Sequence, residues 1–250
     1  MQVWPPAGFR VTLGGMPLAL PRNDVRQYEE LADEWWRPGG PFEMLGWIAR
    51  ARAALVPPAQ RSGAVLVDLG CGGGLLAPHV AGFGYRHVGI DLVAMSLHHA
   101  REHGVAPIVA DVAAVPLTDG CADVVCAGEI MEHVASPSTV AREACRVLRP
   151  GGTLVVDTIN ATALARLIVV TLGERVPKGA PKGIHDPNLF VPPRVLLEEC
   201  RRHGVRLRVR GVRPAMLRWL RWMLTGRGEV PIVPTFSAAV LYQAWGVKEA

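Results

Sequence analysis

The sequence predicts an α/β fold, a parallel sheet wrapped by helices on both faces, and three observations carry that expectation. Between residues 62 and 157, short β-branched or apolar runs alternate with segments of helical periodicity. Glycines cluster at the first strand-to-helix junction, Gly70-Cys71-Gly72-Gly73-Gly74, and acids stand at strand ends, at Asp68 and Asp91. Half of the 250 residues are hydrophobic, enough to bury a full core, and neither a low-complexity tract nor a fixed-period repeat breaks the pattern.

Residues 1–22, rich in Gly and Pro, read as an irregular leader in which Met16 offers an alternative start to Met1. One domain is expected over 23–250. Its first part, 23–60, holds two helices. Tyr28, Leu31, Ala32 and Trp35 recur at helical spacing over 24–36, Arg37-Pro38-Gly39-Gly40-Pro41 stops that helix, and 42–55 resumes the pattern.

The core, 61–160, reads as strands at 65–69, 87–91, 107–109, 124–127 and 153–157, with helices at 75–81, 93–103 and 140–148. Ser136-Pro137 suits the start of the last of these helices, with Ser as N-cap and Pro where its missing N–H costs nothing. Arg149-Pro150-Gly151-Gly152 predicts a tight turn after it. The remainder, 161–250, reads as a substrate-side lid and last strands: a helical stretch at 161–172, a Pro/Gly/His loop at 177–193, a helix at 195–203, and strands at 205–209 and 238–242.

The net charge of +5 does not point to nucleic acid. Only Lys178, Lys182 and Lys248 are lysines, and the arginines are scattered, so no basic stripe forms. Five cysteines (Cys71, Cys121, Cys126, Cys145, Cys200), an odd number without a C-x-x-C pair, fit neither a disulfide framework nor a zinc site, and a reducing cytoplasm is expected. Pro5, Pro6 and Arg10 interrupt any secretory pattern, and no segment is apolar for long enough to span a bilayer.

The glycine turn alone does not separate nucleotide ligands, but its register does. A G-x-G-x-x-G motif from Gly70 requires glycine where Leu75 stands, and from Gly72 where Ala77 stands, so the dinucleotide fingerprint fails in both frames. Asp68, just inside the strand end, would repel a pyrophosphate and favours a cationic ligand such as an ammonium, or orients the loop through water. Asp91 ends the second strand, from which a carboxylate accepts ribose hydroxyls. Asp111, followed by Val112, comes after the third strand, where it can accept from an adenine amino group. Each acid alone is equally readable as a helix cap.

Taken together, Val65-Leu66-Val67-Asp68-Leu69-Gly70-Cys71-Gly72-Gly73-Gly74, Gly89-Ile90-Asp91 and Ala110-Asp111-Val112, followed by Leu148-Arg149-Pro150-Gly151-Gly152-Thr153-Leu154, resemble the class I S-adenosylmethionine-dependent methyltransferases. The resemblance implies a Rossmann-like fold with a mostly parallel seven-stranded sheet and an antiparallel C-terminal strand. It also implies S-adenosyl-L-methionine bound at Asp68, Gly70, Gly72, Gly74, Asp91, Asp111 and Val112.

Four further segments resemble the ubiquinone-biosynthesis O-methyltransferase family over residues 24–210. These are Tyr28-Glu29-Glu30-Leu31-Ala32-Asp33-Glu34-Trp35-Trp36 with Gly40-Pro41-Phe42, Gly128-Glu129-Ile130-Met131-Glu132-His133-Val134, Thr158-Ile159-Asn160, and Pro181-Lys182-Gly183-Ile184-His185-Asp186. That likeness adds Arg52 and Gly128 to the cofactor set and implies O-methylation of a hydroxylated aromatic such as a polyprenyl phenol or catechol quinone precursor. Ile184, Pro187-Asn188-Leu189 and an insertion at 216–229 depart from the family pattern, all on the substrate side. A secondary-metabolite or sugar-hydroxyl methyltransferase, and a non-catalytic cofactor-binding protein, are the competing readings.

Methyl transfer to a phenol is an in-line displacement, and a phenol of pKa about 10 must lose its proton on the way. Glu129, Glu132 and His133 stand at i, i+3 and i+4, a spacing that brings three side chains to one helix face. The family likeness implies a divalent ion such as Mg2+ on these three; the alternative is His133 alone as general base, with the glutamates as loop or cap groups. Asn160 and His185 are substrate candidates, each also readable as a structural hydrogen-bonding residue, and Cys71 is a space-filler. Segments 161–172 and 216–224 mix apolar or aromatic residues with arginine as interfacial helices do, which fits a prenylated acceptor or peripheral membrane contact; a packed lid is the alternative.

Overall fold

The computed structural model describes residues 12–13, 16–17, 20–176 and 179–249. Most of the expected leader, and the choice between Met1 and Met16 as start, lies outside the described residues. Within it, Thr12–Leu13 (β1) and Met16–Pro17 (β2) pair antiparallel.

The apolar runs become the centre of one sheet: β3 (Val65–Leu69), β4 (Arg86–Asp91), β5 (Ala106–Val109), β6 (Ala122–Gly128) and β7 (Leu148–Ile159). These five lie parallel in the order β5-β4-β3-β6-β7. Alternate side chains go to opposite faces. Leu66, Val124, Cys126 and Val155 pack with Ala53, Val56, Leu76 and Val80 on one side. Val67, Leu69, Val125, Ala127 and Val156 pack with Val140, Ala144, Val147 and Leu196 on the other. With both faces covered, β6 is buried along its whole length, which is why its sequence shows no polar alternation.

Beyond β7 the sheet continues with β8 (Arg208–Pro214), β9 (Ile232–Thr235) and β10 (Leu241–Val247), in the order β7-β10-β8-β9. Strand β10 runs antiparallel to both neighbours, as expected for the C-terminal strand. The sheet has eight strands rather than seven. The edge strand is β9, which pairs with β8 and comes shortly after the segment 216–229 expected from sequence to be an insertion.

Two strand positions are corrected. The strand expected at 205–209 is centred on β8, and Val205 keeps only an isolated bridge to Lys248. The strand expected at 238–242 begins at Leu241, because residues 238–240 instead cross the carboxyl end of β7. There Asn160 N–H donates to Val240 O at 2.8 Å and its side-chain amide donates to Ala238 O at 2.8 Å. The turn expected at 149–152 is absorbed into the start of β7, with Gly151 at φ 74° and a register shift against β6 between Ala122 and Val124.

Helices α1 (Val25–Glu30) and α2 (Glu43–Ala53) replace the two predicted N-terminal helices. Asp24 caps α1 by accepting from Arg26 N–H at 3.0 Å. The chain leaves α1 early, through a 3-10 turn at Ala32–Glu34, which delivers Trp35 and Trp36 to the sheet. Helices α3 (Ala77–Val80), α4 (Ala94–Glu102) and α5 (Pro137–Val147) cover the parallel strands, with Ser136 capping α5 as predicted. The stretch 161–172 forms a short α6 (Ala163–Ala165) that widens into π-helical turns over Arg166–Gly173. Helices α7 (Pro193–Arg202) and α8 (Met216–Thr225) complete the chain.

Candidate active site

A cavity of about 660 Å3 opens beyond the carboxyl ends of the parallel strands, where ligands of open α/β sheets bind. Of the residues singled out from sequence, Arg52, Asp68, Gly70, Gly72, Asp91, Asp111, Val112, Gly128, Glu129, His133 and His185 line it. Gly74, Glu132 and Asn160 do not. Gly74 is pressed against Ala100 of α4, where a Cβ would stand 2.9 Å from the Ala100 Cα, and Asn160 pins residues 238–240 as described above.

The glycine turn is shaped by close approach as much as by its backbone angles. Gly72 sits at φ 50°, and a Cβ there would meet the Trp35 ring at 2.4 Å; a Cβ on Gly73 would meet the same indole at 2.4 Å. Trp35 is fixed by its Nε1–H, which donates to Ser96 Oγ at 2.8 Å, and by stacking on Phe42 with centroids 4.1 Å apart. Trp36 Nε1–H donates to Gly73 O at 2.8 Å, and its ring stacks on His103 at 3.6 Å. The double tryptophan is the clamp that holds the turn.

Asp91 ends β4 with one carboxylate oxygen accepting from Gly72 N–H and the other from Val93 N–H, both at 2.9 Å. Burial pushes its carboxyl up, and these two N–H donors work against that shift. Asp68 is buried with its Oδ2 3.5 Å from His87 Nε2. Asp111 accepts from Ala113 N–H at 2.8 Å and is exposed at the cavity rim.

Arg52, on α2, reaches under β6. Its Nε and Nη2 donate to the two oxygens of Asp157 at 2.6 and 2.8 Å, a buried side-on pair. Burial works against the guanidinium charge, and Asp157 more than restores it, holding Arg52 above its ordinary range. Gly128 passes directly over this pair: a Cβ there would fall 1.7 Å from the Arg52 guanidinium carbon.

Glu129, Glu132 and His133 do not converge as the helical spacing predicted. Glu129 adopts φ 52°, the left-handed region, and only Met131–His133 form a single 3-10 turn. Glu129 faces the cavity. Glu132 points beneath it and accepts from Thr158 Oγ1 at 2.7 Å. Burial, with the charge of Asp157 adding to it, pushes the Glu132 carboxyl up to about 7, and burial with the charge of Glu132 pushes Glu129 well above its usual range.

His133 also lines the cavity, and its contacts are with the N-terminal segment. Asn23 grips it at two points: Asn23 Nδ2 donates to His133 O at 2.9 Å, and Asn23 Oδ1 lies 2.6 Å from His133 Nδ1. Tyr28 Oη lies at the ring edge, 3.2 Å from His133 Nε2 and 3.4 Å from Nδ1. The His185 ring stacks on His133 at 5.5 Å, while its backbone N–H donates to Glu174 at 3.4 Å. Burial and the neighbouring His185 drive His133 down to about 3, so it is a neutral imidazole throughout the physiological range.

The profile of a family described as a methyltransferase domain matches residues 67–156. The ubiquinone biosynthesis O-methyltransferase of Ralstonia nicotianae is 35% identical over 214 residues, covering 82% of this chain and 87% of that protein. Its counterpart in Cupriavidus pinatubonensis is 34% identical over 199 residues, covering 76% and 80%. The chain belongs to the ubiquinone biosynthesis O-methyltransferase family. The fold is also that of an S-adenosylmethionine-dependent methyltransferase from Thermotoga maritima, with a TM-score of 0.60, 20% identity, and coverage of 90% of this chain and 96% of that one.

The protein is therefore an S-adenosylmethionine-dependent methyltransferase. The Mg2+ site expected on Glu129, Glu132 and His133 is a different matter. Glu129 and His133 line the cavity while Glu132 is bonded to Thr158 away from it, and among the described residues no group of three or more His, Cys, Asp or Glu side chains is placed to hold a metal. All five cysteines are free thiols.

Several site residues went unread in the sequence. Asp157 has a local signal, an acid at the carboxyl end of an apolar strand. Asn23 has none, and Tyr28, read only as part of a helix and of a family-like segment, carried no sign of its contact with His133, since the two contacts cross 110 and 105 residues.

Two outcomes follow from this geometry for any member of the family built this way. Gly128→Ala must displace the Arg52 guanidinium from Asp157 and should cost about 3–5 kcal/mol in urea unfolding, the scale of breaking a buried pair. Glu132 titrates higher in the fold than in the unfolded chain. The native state keeps its proton while the unfolded state loses it, so stability falls as pH rises from about 4.5 to about 7. Glu132→Gln should raise Tm at pH 8 and lose that advantage by pH 4.5, as read by calorimetry across pH.

Proposed function

We propose that this enzyme transfers the methyl group of S-adenosyl-L-methionine to the hydroxyl of an aromatic acceptor, a polyprenyl phenol or catechol of the quinone-precursor class, with His133 as general base. The observation that carries the reading is the state of His133: neutral, buried at the cavity wall, and restrained at Nδ1, with Nε2 left as the basic atom. A second support is that relatives sharing about a third of their residues with this chain over most of its length bear the name ubiquinone biosynthesis O-methyltransferase.

The donor supplies an electrophilic sulfonium methyl. On the protein side, Asp91 is held by two backbone N–H groups and keeps lone pairs for the ribose hydroxyls. Asp68 offers a buried carboxylate to an ammonium group. Arg52, with Nε and Nη2 committed to Asp157, directs Nη1 away from that carboxylate toward a ligand carboxylate. Asp111 and Val112 close the far side of the cavity, and Gly70, Gly72 and Gly128 let backbone approach the ligand. Gly74 serves the turn from behind, by its packing on α4.

For the acceptor, Tyr28 Oη marks the place from which a phenolic O–H meets Nε2. An acceptor hydroxyl taking that place gives its proton to His133 as its oxygen attacks the methyl carbon. The imidazole is neutral and so free to accept that proton, and an acceptor that draws the ring toward a more polar setting raises its basicity toward the range in which a general base works best. His185, stacked on His133, forms the adjoining wall.

The outer cavity is apolar, walled by Leu164, Ile168, Val169 and Leu172 from the π-helical segment and by Met216 and Trp219 from α8. On the outside, Leu167 of the first segment and Leu217, Leu220 and Leu224 of α8 are exposed, with Arg218 and Arg221 beside them. That arrangement supports a prenyl tail leaving between the two segments and peripheral contact with a membrane surface. No helix among the described residues is long and apolar enough to cross a membrane.

Calorimetry should detect S-adenosylmethionine and S-adenosylhomocysteine binding to the wild type, weakened strongly by Asp91→Ala; no binding by the wild type would sink the reading. His133→Ala should lower kcat by about 10²-fold or more with donor affinity intact. Tyr28→Phe, which keeps the ring and removes only the hydroxyl, should cost far less. A Tyr28→Phe loss as large as that of His133→Ala would mean that the proton passes through the tyrosine instead.

A further inference from the structure

Asn23 stands immediately before Asp24, the N-cap of α1, at φ 58°. It joins three parts of the chain that are remote in sequence. Its backbone N–H donates to Gly183 O at 3.0 Å, and its side-chain amide grips the backbone and the ring of His133. The neighbouring Arg22 extends the same strap, donating to Glu174 at 3.1 Å and to His185 O at 2.7 Å.

The chemistry of the grip fixes a proton. His133 O is a carbonyl and can only accept, so the Asn23 atom facing it is the amide nitrogen. The other end of the same amide, Oδ1, is then the atom 2.6 Å from Nδ1, and an oxygen facing a ring nitrogen at that distance requires N–H on the ring. His133 is thereby held as the Nδ1–H tautomer, which leaves the lone pair on Nε2, the ring nitrogen nearer to Tyr28 Oη at 3.2 Å against 3.4 Å for Nδ1. Nδ1 and the backbone of the same residue are both tied to one rigid amide, so ring rotation is restrained as well.

We infer that Asn23 is a positioning residue for methyl transfer, setting the tautomer and orientation that make His133 Nε2 the basic atom. The inference rests on the reading of His133 as the base. Asn23 touches neither donor nor acceptor in this role. It acts through the imidazole, as the partner on one ring nitrogen sets what the other can do.

Two variants test it. Asn23→Gly removes the side chain at a position whose left-handed backbone glycine adopts without strain. Asn23→Asp keeps an acceptor for Nδ1–H but loses the donor to His133 O. Long-range 15N correlation spectra, with His133 assigned from a His133→Gln sample, should report the Nδ1–H form in the wild type and in Asn23→Asp. In Asn23→Gly the same signals should move toward a tautomer mixture. In parallel, Asn23→Gly should lose about tenfold to a hundredfold in kcat, part of what a general base contributes, with calorimetric donor affinity unchanged, and Asn23→Asp should recover most of that loss.

An Nδ1–H signature unchanged in Asn23→Gly overturns the inference, and so does an Asn23→Asp enzyme as slow as Asn23→Gly. The base reading fails separately, if His133→Gln itself keeps wild-type turnover. The spectra would then still show whether Asn23 sets the tautomer, and the kinetic half of the inference would fall.

Discussion

The indole of Trp35 fills the space that side chains at positions 72 and 73 would need, and the geometry of the donor end depends on that contact. A glycine turn left to itself is the most pliable part of a strand-to-helix junction, because glycine gives up the most conformational freedom on folding. Here the turn is covered from outside by a ring locked to Ser96 and stacked on Phe42, while Trp36 takes the carbonyl of Gly73. The N-terminal helices therefore act as part of the cofactor end rather than as an appendage to it. The same packing brings α2 near enough for Arg52 to reach Asp157 across the sheet.

That reach explains why a glycine ends β6. The Arg52–Asp157 pair is buried, and a buried pair of this kind is stable only when its geometry is good and its remaining atoms are satisfied. Gly128 gives it room, and the chain turns sharply at Glu129 as soon as the guanidinium is passed, in a backbone region that glutamate rarely adopts. This turn separates Glu129 from the course of a regular helix. One acid is left facing the cavity and the other lies beneath it, against Thr158.

The parallel half of the fold was legible because its signals are local. Apolar runs of strand length, glycines at one junction and acids at strand ends are written within a few residues of one another, and the elements formed there nearly as read. The antiparallel half was not. Strand β9 lies in a segment of Pro, Val and Thr that carries no alternation strong enough to name it, and β10 starts three residues late because Asn160 recruits residues 238–240 as a strap. In the site, the spacing of Glu129, Glu132 and His133 was read with a helical period that a left-handed residue at its first position cannot keep. The roles of Asn23 and Tyr28 beside His133 were silent, since what makes them matter is tertiary contact alone.

The two ends of the cavity therefore differ in how they are built. Donor-side groups sit at the ends of hydrogen-bonded strands, where register fixes each carboxylate to its neighbours. Acceptor-side groups come from a 3-10 turn, a loop histidine, π-helical turns and helix α8, none of which pairs with the sheet centre. Such segments hold their places through isolated tertiary bonds rather than a strand ladder, and several of the polar ones converge on His133 and His185 through Asn23, Arg22 and Glu174. On the proposed reading, a site of this construction can change its acceptor by altering the lid while the groups assigned to the methyl donor and His133 stay where they are. Ile184 and the segment 216–229, which the sequence led us to expect as departures from the family pattern, fall on the lid side of that division, with Ile184, Met216 and Trp219 all at the cavity wall.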